Sequence, residues 1–290
     1  MSYIIKKTTR YTSIVFTVLG FVGLLFPLDS IILFVKKEPE IKDKITFTAI
    51  VFTGVVVVAF VISALVFKKK NRRTIVNTSE GHHIFVEYGD IFDDSIVDSE
   101  KRNIVVSFNR TFDTIVDDDL IRRSSHHGQM ISKFWPGEQA KQLDKKIKNN
   151  LNETFHDNLQ TLTKSEKRKG NRKEYPVGTI AEVEYPEHNI QFFLVGLTHF
   201  DENLHAHYSG NDYQTCLQSI LNHCINRAQH YPVIMPIIGA GANDDTGYDE
   251  MDLLQYMVSY FRLNRKKINF DIHMVVDREH RNRISIFDID

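Results

Sequence analysis

Residues 45–67 form a continuous block of apolar and small polar residues that contains no ionisable side chain. An earlier block, residues 13–35, has a similar composition and is interrupted only by Pro27 and Asp29. Each block is 23 residues long, whereas about 20 helical residues suffice to cross a bilayer core with every backbone hydrogen bond satisfied. Asp29 fits either an interfacial helix end or a polar contact between helices of an oligomer or a pore. The two blocks therefore predict a transmembrane helical hairpin, with residues 1–73 as the anchor.

The basic residues beside the two blocks predict which side of the membrane each end occupies. Three basic residues precede the first block, and five of the six residues at 68–73 are basic. The connecting residues 36–44 carry four lysines, partly offset by three acidic residues. Because basic flanks stay on the cytoplasmic side, we expect a multi-pass protein of the cell membrane with both termini in the cytoplasm. A cleaved signal peptide is the alternative for the first block, although no small-residue cleavage pattern follows it.

The rest of the chain has the pattern of one α/β domain. Residues 74–81 (TIVNTSEG) are predicted to form a polar linker, and residues 82–290 alternate between strand-like and helix-like segments. This alternation predicts a three-layer α/β/α domain with a mixed central sheet. Apolar residues recur at helical spacing in residues 213–230 and 249–263, and Asp249 is placed to cap the second of these helices. The predicted strands are residues 84–88, 103–108, 178–184, 190–197, 231–238 and 270–276.

Charge and cysteine content argue against two classes of function. The formal net charge is −1, without the basic bias of a nucleic-acid-binding protein. The two cysteines, Cys216 and Cys224, share one helical face and are predicted to be buried, reduced thiols. The histidines form no zinc motif, so we expect neither a metal site nor a cofactor. His205 and His207 lie either at the rim of a pocket or in an exposed loop.

Two charged segments each have a plain and a functional interpretation. Residues 164–173 (KSEKRKGNRK) are strongly basic and predict a solvated loop, or a contact with phosphate or anionic lipid headgroups. The acidic residues 117–119, together with Asp113, predict a solvated helix start, or oxygen ligands for a hard cation. In both segments a solvated surface is the expected structure.

Three short stretches, each placed where a predicted strand ends, carry the candidate site. Asp90 can accept a hydrogen bond from an amine such as that of adenine, and the N–H of Ile91 can address a ring nitrogen; a plain turn is the alternative. Residues 236–243 (PIIGAGAN) can cradle a diphosphate with successive N–H groups, or form a tight strand-to-helix turn. They match neither the P-loop nor the dinucleotide fingerprint. Residues 122–128 (RRSSHHG) offer hydrogen bonds to a ribose, or form a polar surface loop.

Taken in order, several segments resemble a macro domain, and the resemblance extends from His82 to the end of the sequence. The segments are VEYGDI (86–91), VVSFNRTF (105–112), PVGTI (176–180), FFLVGLTHF (192–200) and PIIGAGAN (236–243). The resemblance implies that Asp90 and Ile91 contact adenine and that residues 239–243 form the diphosphate and ribose loop. The ligand-binding residues that it implies are Asp90, Ile91, Asn109, Ser124, Ser125, His126, Gly128, Gly239, Ala240, Gly241, Ala242 and Asn243.

Two departures from the macro-domain pattern bear on catalysis. The loop at residues 124–128 contains one glycine, Gly128, where the family usually has several. Residues 105–112 lack the usual Asn-Ala-Ala-Asn run. A hydrolase needs a positioned Asn or Asp and a glycine loop to orient water at the distal ribose, so we predict no catalytic residue. The candidates for a hydrolase alternative are Asn109, Asp113, His126 and His127.

The layout of two transmembrane helices before a macro domain resembles the effector subunit of type II Thoeris antiphage defence. That resemblance implies that a TIR-domain partner makes a histidine–ADP-ribose type of signal, which the macro domain binds. It further implies that binding triggers assembly into a homo-oligomer and disruption of the lipid bilayer, with no nucleic acid involved. The alternatives are a membrane-tethered ADP-ribosyl hydrolase and a passive reader of ADP-ribosylated proteins.

Overall fold

The computed structural model describes residues 9, 12–15, 17, 40–69, 71–154, 159–241 and 247–289. Two compact units divide the chain between Asn71 and Arg72, and residues 287–289 group with the first unit. The first unit contains helix α1 (Ile41–Lys69). The second contains the strands and the helices that follow α1 in the described chain.

Helix α1 is long and apolar enough to cross a membrane, by length and composition. The qualifying stretch, Ile41–Ile62, has 22 residues, and it overlaps the predicted span 45–67. At about 1.5 Å per residue such a stretch is about 33 Å long, close to the ~30 Å of a bilayer core. Among the described residues, α1 is the one helix that meets these criteria. Most of the other predicted span, 13–35, lies outside the described residues, so the hairpin stays a prediction.

The second unit is built on a mixed sheet whose strand order is β1-β2-β10-β9-β3-β7-β6, with β8 paired to β7. The strands from β2 to β7 in this order run parallel to their neighbours, whereas β1, β6 and β8 are antiparallel. The short strands β4 and β5 form a separate pair. The strands are β1 (Arg72–Asn77), β2 (His83–Gly89), β3 (Arg102–Asn109), β4 (Gln160–Thr161), β5 (Lys173–Glu174), β6 (Ile180–Tyr185), β7 (Ile190–Phe200), β8 (Ala206–His207), β9 (Val233–Pro236) and β10 (Ile272–Asp277).

Helices cover both faces of this sheet. One face carries α2 (His126–Phe134) and α3 (Gln139–Thr154), and the other carries α4 (Gly210–Arg227) and α5 (Glu250–Leu263). Side chains alternate along a strand, so Ile104, Val106 and Phe108 of β3 pack in one core with α2 and α3. The predicted α/β fold with a mixed sheet is confirmed.

The caps and thiols of the covering helices follow the sequence pattern. Asp249 caps α5 as predicted, because its side chain accepts from the N–H groups of Met251 and Asp252. Ser209 caps α4 through a capping box with Asp212, in which each side chain accepts from the backbone N–H of the other residue. Cys216 and Cys224 are buried and free on α4, which agrees with their shared helical face.

The predicted linker is replaced by a strand. Residues 72–77 form β1, an edge strand that pairs antiparallel with β2. Arg72 fixes its start, because the guanidinium Nε lies 2.7 Å from a carboxylate oxygen of the buried Glu87. The β-branched run Thr-Ile-Val at 74–76 favours a strand, and this preference outweighs the polar residues that follow it. The α/β unit therefore begins at Arg72, ten residues earlier than the predicted His82.

The two charged segments form ion pairs with each other, and most of their residues remain exposed to solvent. Lys167 is fully buried, and its Nζ lies 2.6 Å from a carboxylate oxygen of Asp113. Arg168 and Lys169 form ion pairs with Asp119 at the surface. Residues 117–119 form a bend before α2, not a helix start. Three of the six basic residues at 164–173 pair with the acidic residues, and the predicted solvated loop agrees with the structure except at the buried Lys167.

Candidate functional site

A cleft of about 810 Å³ opens at the carboxyl ends of the parallel strands. The ends of parallel strands meet at one edge of a sheet, and the loops that follow them form the wall of a crevice. Here β3 contributes Ser107, Phe108 and Asn109, and β9 and β10 contribute Pro236 and Asp277. Two of the three candidate stretches, residues 122–128 and 236–243, contribute residues to the lining of the cleft.

The loop after β9 brings its backbone to the cleft through Gly239. This residue has a φ of +85°, and an added Cβ would lie 2.7 Å from the hydroxyl oxygen of Tyr208. Only glycine combines that backbone conformation with so close a neighbour. Gly239, Ala240 and Gly241 all line the cleft, whereas the predicted Ala242 and Asn243 lie outside the described residues.

The second predicted loop forms the N-terminus of α2. The hydroxyl of Ser125 caps the helix by accepting from the Gly128 N–H at 3.1 Å, and it donates to the Arg122 carbonyl at 2.7 Å. Ser124, Ser125 and His126 line the cleft. Gly128 does not line it, and its small size has a packing reason, because an added Cβ would meet the Arg122 carbonyl oxygen at 2.2 Å.

His126 and His127 have different environments although they are adjacent. Burial lowers the pKa of His126, against the opposing effect of the Asp277 and Asp90 carboxylates. Burial lowers the pKa of His127 to about 3, and its Nε2–H donates to the Asp113 carbonyl at 2.9 Å. Its ring lies against Phe108, with 3.5 Å between the ring centroids. Both imidazoles are therefore neutral near pH 7, and His127 is held by the core.

Asn109 is the last residue of β3, and its side-chain amide oxygen is hydrogen-bonded whereas, within the part of the chain that the structure describes, its amide nitrogen is not. Its Oδ1 accepts from the N–H and the hydroxyl of Thr111, at 3.1 and 2.9 Å, and from the Asp113 N–H at 3.3 Å. Its buried Nδ2 has no hydrogen-bond partner among the described residues. Asn109 lines the cleft. An unsatisfied buried donor is uncommon, and here it stands at the wall of a cleft that can hold a ligand.

Asp113 has no free position for a catalytic role. Its carboxylate is paired with Lys167 and accepts from the Thr111 hydroxyl and the Asn171 N–H. These partners occupy both carboxylate oxygens in a buried setting. The geometry disfavours Asp113 as a general base.

The stretch after β2 forms a turn at the same sheet edge. The exposed Asp90 accepts from the Phe92 N–H at 2.8 Å, and it is near enough to His126 for its charge to act on that ring. Ile91 is fully buried in the apolar core, so only its backbone can serve a ligand. Neither residue is among those that line the cleft. Their adenine-binding roles stay predictions.

The sequence interpretation missed an acidic and histidine-bearing wall of the cleft. Asp277 ends β10, and Glu250, Glu279 and His280 stand in the loops and helices beside it. The Nδ1 of His280 lies 3.0 Å from a Glu250 carboxylate oxygen. The signal that selected Asp90, an acidic residue directly after an apolar strand, also applies to Asp277 and could have identified it.

A mixed sheet between two helical layers, with its cleft at the carboxyl ends of the parallel strands and a glycine-containing loop beside it, is the arrangement of a macro domain. The chain belongs to the family described as Thoeris protein ThsA, macro domain, whose model matches residues 84–277. It is 28% identical over 194 residues to the Thoeris protein ThsA of Bacillus amyloliquefaciens (strain Y2). That match covers 64% of this chain and 59% of the relative, less than two thirds of its length.

Solved structures of macrodomains are also similar to this chain. The Oceanobacillus iheyensis macrodomain with MES bound has 12% sequence identity and a TM-score of 0.47, over 73% of this chain and 91% of that one. The same macrodomain with ADP has 12% identity and a TM-score of 0.46, over 71% of this chain and 87% of that one. The Trypanosoma brucei macrodomain has 10% identity and a TM-score of 0.38, over 72% and 69% of the two chains.

Proposed function

We propose that the cleft binds an ADP-ribose type of nucleotide and that the chain is a membrane-anchored effector of antiphage defence. The observation that carries the binding proposal is the unpaired, buried Nδ2 of Asn109, a residue that lines the cleft. Leaving such a donor unmet costs about 1–3 kcal/mol, which an acceptor oxygen on a ligand recovers. Membership of the ThsA macro-domain family supports the defence role.

One part of the cleft presents N–H donors and another part presents carboxylates, so they suit different parts of a nucleotide. The N-terminus of α2, at Ser125 and His126, and the backbone beside Gly239 present N–H dipoles that favour anionic oxygens. Another part of the wall carries Glu250, Asp277 and Glu279, which repel phosphate and accept hydrogen bonds from amines and hydroxyls. A diphosphate is therefore expected between α2 and the loop after β9. The cleft volume of about 810 Å³ lies in the usual range for a small-molecule site, ~300–1,000 Å³.

The membrane part converts binding into an effect. In this proposal α1 is one of two spans of a helical hairpin, both termini are cytoplasmic, and a TIR-domain partner supplies a histidine–ADP-ribose type of signal. Binding triggers homo-oligomer assembly and disruption of the bilayer. A ligand drives assembly only as far as it binds the assembled state better than the resting state. The apolar length of α1 supports the anchor.

Calorimetric titration of the full chain in detergent, with ADP-ribose and with a histidine–ADP-ribose conjugate, tests this function. We expect the conjugate to bind at least about tenfold more tightly, a difference of about 1.4 kcal/mol. Equal affinities would instead favour a general reader of ADP-ribose or a hydrolase. Binding of neither compound would overturn the nucleotide proposal.

A matched pair of variants tests the role of Asn109. Asn109→Asp keeps the Oδ1 acceptor that holds the following turn and removes the Nδ2 donor, so we expect at least about tenfold weaker binding. Asn226→Asp makes the same change on the exposed surface of α4, where Asn226 Nδ2 donates to the Asn222 carbonyl, and should bind normally. Normal binding by Asn109→Asp would remove Asn109 from the site.

A further inference from the structure

Three polar side chains meet beside the cleft, two of them in the loop between β7 and β8 and the third on β8. The carboxylate Oδ2 of Asp201 lies 3.4 Å from His205 Nδ1 and 3.4 Å from His207 Nε2. The three atoms that could bind a metal ion, one from each side chain, all lie within 4.8 Å of one another. His205 also lines the cleft.

These separations match two ligands on a shared ion, and they are longer than a strong hydrogen bond, although His207 and Asp201 also form a weak one. Two ligand atoms bound 2.0–2.1 Å from a tetrahedral ion lie about 3.4 Å apart. A charge-assisted hydrogen bond would draw nitrogen and oxygen to about 2.7–2.9 Å. Both Asp201–histidine distances equal the first value. The side chain of His205 is 57% exposed, and the ligand atoms of the two imidazoles lie within 4.8 Å of each other.

The loop orients the carboxylate before any ion arrives. Asp201 Oδ1 accepts from the N–H groups of Asn203 and His205, at 2.9 and 2.8 Å, which leaves Oδ2 towards the two rings. The pairing of β7 with β8 sets His199 opposite His207, and their ring centroids are 5.7 Å apart. Such supporting contacts fix ligand geometry in metal sites.

We propose that Asp201, His205 and His207 form a binding site for a divalent transition metal of the Zn²⁺ class. Two imidazoles and one carboxylate suit Zn²⁺ and similar ions, whereas Mg²⁺ and Ca²⁺ prefer oxygen ligands alone. Three protein ligands leave a fourth position open. Because His205 belongs to the cleft wall, an oxygen or nitrogen of a cleft ligand can take that position. Metal binding itself does not depend on the proposed nucleotide.

The test is titration of the full chain, purified without a polyhistidine tag and treated with a chelator, with ZnCl₂ and no nucleotide. We expect one ion per chain by calorimetry and by elemental analysis after dialysis. Loss of a supporting contact lowers metal affinity about 10–100-fold, so removal of a ligand in Asp201→Asn or His207→Ala should lower it by at least about 100-fold. Asp201→Asn keeps the Oδ1 acceptor of the loop and is the variant least expected to disturb the fold.

The control is His230→Ala, which removes an exposed histidine whose Nδ1 lies 3.0 Å from the Asn269 carbonyl oxygen. It should bind Zn²⁺ like the wild type. Zn²⁺ should also raise the Tm of the wild type and of the control, but not that of Asp201→Asn. Wild-type affinity in Asp201→Asn and His207→Ala, or no stoichiometric binding by the wild type, would overturn the proposal whatever the outcome of the nucleotide titration.

Discussion

The ammonium of Lys167 lies 2.6 Å from the carboxylate of Asp113, and both side chains are almost wholly inaccessible to solvent. Lys167 also donates to the Asn171 carbonyl at 2.6 Å. The pair joins the loop after β4 to the segment after β3, and Asn109, at the end of that strand, lines the cleft. A buried ion pair of this kind fixes the position of the segment that follows Asn109.

Lys167→Met should strongly destabilise the α/β unit. The change leaves the Asp113 carboxylate buried without its counter-ion, which costs about 3–5 kcal/mol. Thermal or chemical unfolding of the full chain in detergent measures it. The exposed Lys164→Met, in the same segment, is the matched control and should have little effect. The double variant Asp113→Leu/Lys167→Met should recover part of the loss, since no lone charge then remains. An unchanged Tm in Lys167→Met would contradict the structural role of the pair.

His127 should make the α/β unit less stable in mild acid. Its pKa in the folded chain is about 3, below the ordinary histidine value of about 6.5. The unfolded chain therefore binds more protons between these values, so the stability is fully present above about pH 6.5 and falls as the pH drops through the window. Between pH 7 and pH 5 the expected loss is about 2 kcal/mol from this residue. Denaturant unfolding at the two pH values measures it.

His127→Gln is the variant that isolates this effect. The glutamine amide can still donate towards the Asp113 carbonyl but does not titrate, so the difference between pH 7 and pH 5 should shrink by about 2 kcal/mol. His230→Gln, on the exposed surface, should leave the difference unchanged. If the free energy of unfolding of His127→Gln differs between pH 7 and pH 5 as much as that of the wild type, another group causes the acid sensitivity.

Gly239→Ala should weaken nucleotide binding and lower stability, whereas Gly241→Ala should leave stability unchanged. Gly239→Ala adds a Cβ at a residue with a φ of +85°, and that Cβ lies 2.7 Å from the Tyr208 hydroxyl oxygen. Gly241→Ala adds a Cβ that has no other atom within 4 Å among the described residues. The strained backbone alone costs of order 1 kcal/mol or more. Displacement of the loop should weaken nucleotide binding by at least about tenfold. Adding Tyr208→Phe to Gly239→Ala should relieve the closest contact, whereas the ring carbon Cζ at 3.0 Å from the added Cβ and the backbone strain remain. Full binding by Gly239→Ala would exclude the loop from the site.

Asp90→Ala should weaken nucleotide binding by at least about tenfold with the fold retained, if the carboxylate holds the base. Asp90→Asn removes the charge proposed to hold the base but keeps the turn, because the asparagine Oδ1 can still accept from the Phe92 N–H. Asp93 is the matched control, since its Oδ1 accepts from the Ser95 N–H at 2.9 Å in a similar turn. Asp93→Asn should bind normally. Unchanged affinity in both Asp90 variants would place the base elsewhere in the cleft.

The sequence predicted those parts of the molecule that short-range patterns determine. Apolar runs gave the positions of β2, β3, β7, β9 and β10, and helical spacing gave α4 and α5, with ends that shift by a few residues. Candidate loops follow strand ends, and parallel strands bring their ends together, so Asn109 and Gly239 meet at one cleft.

Contacts between distant segments could not be predicted in the same way. Lys167 and Asp113 are 54 positions apart, and nothing local indicates that a lysine in a basic run is buried. The group of Asp201, His205 and His207 depends on the pairing of the two-residue strand β8 with β7, and its spacing matches no familiar zinc motif. The strand β1 was not predicted because its β-branched run, residues 74–76, is only three residues long and is flanked by polar residues.

The predicted hairpin topology can be tested with single cysteines and a maleimide that does not cross membranes. Glu40 and Glu80 are exposed and lie on either side of α1, and position 2 precedes the first predicted span. Two spans with cytoplasmic termini predict that Glu40→Cys is labelled in intact cells, whereas Ser2→Cys and Glu80→Cys are labelled only after permeabilisation. A single span would place positions 2 and 40 on the same side. Background labelling of the wild type should be low, because Cys216 and Cys224 are buried and burial raises the pKa of both thiols. Labelling of Ser2→Cys together with Glu40→Cys in intact cells would contradict the hairpin and leave α1 as the one span.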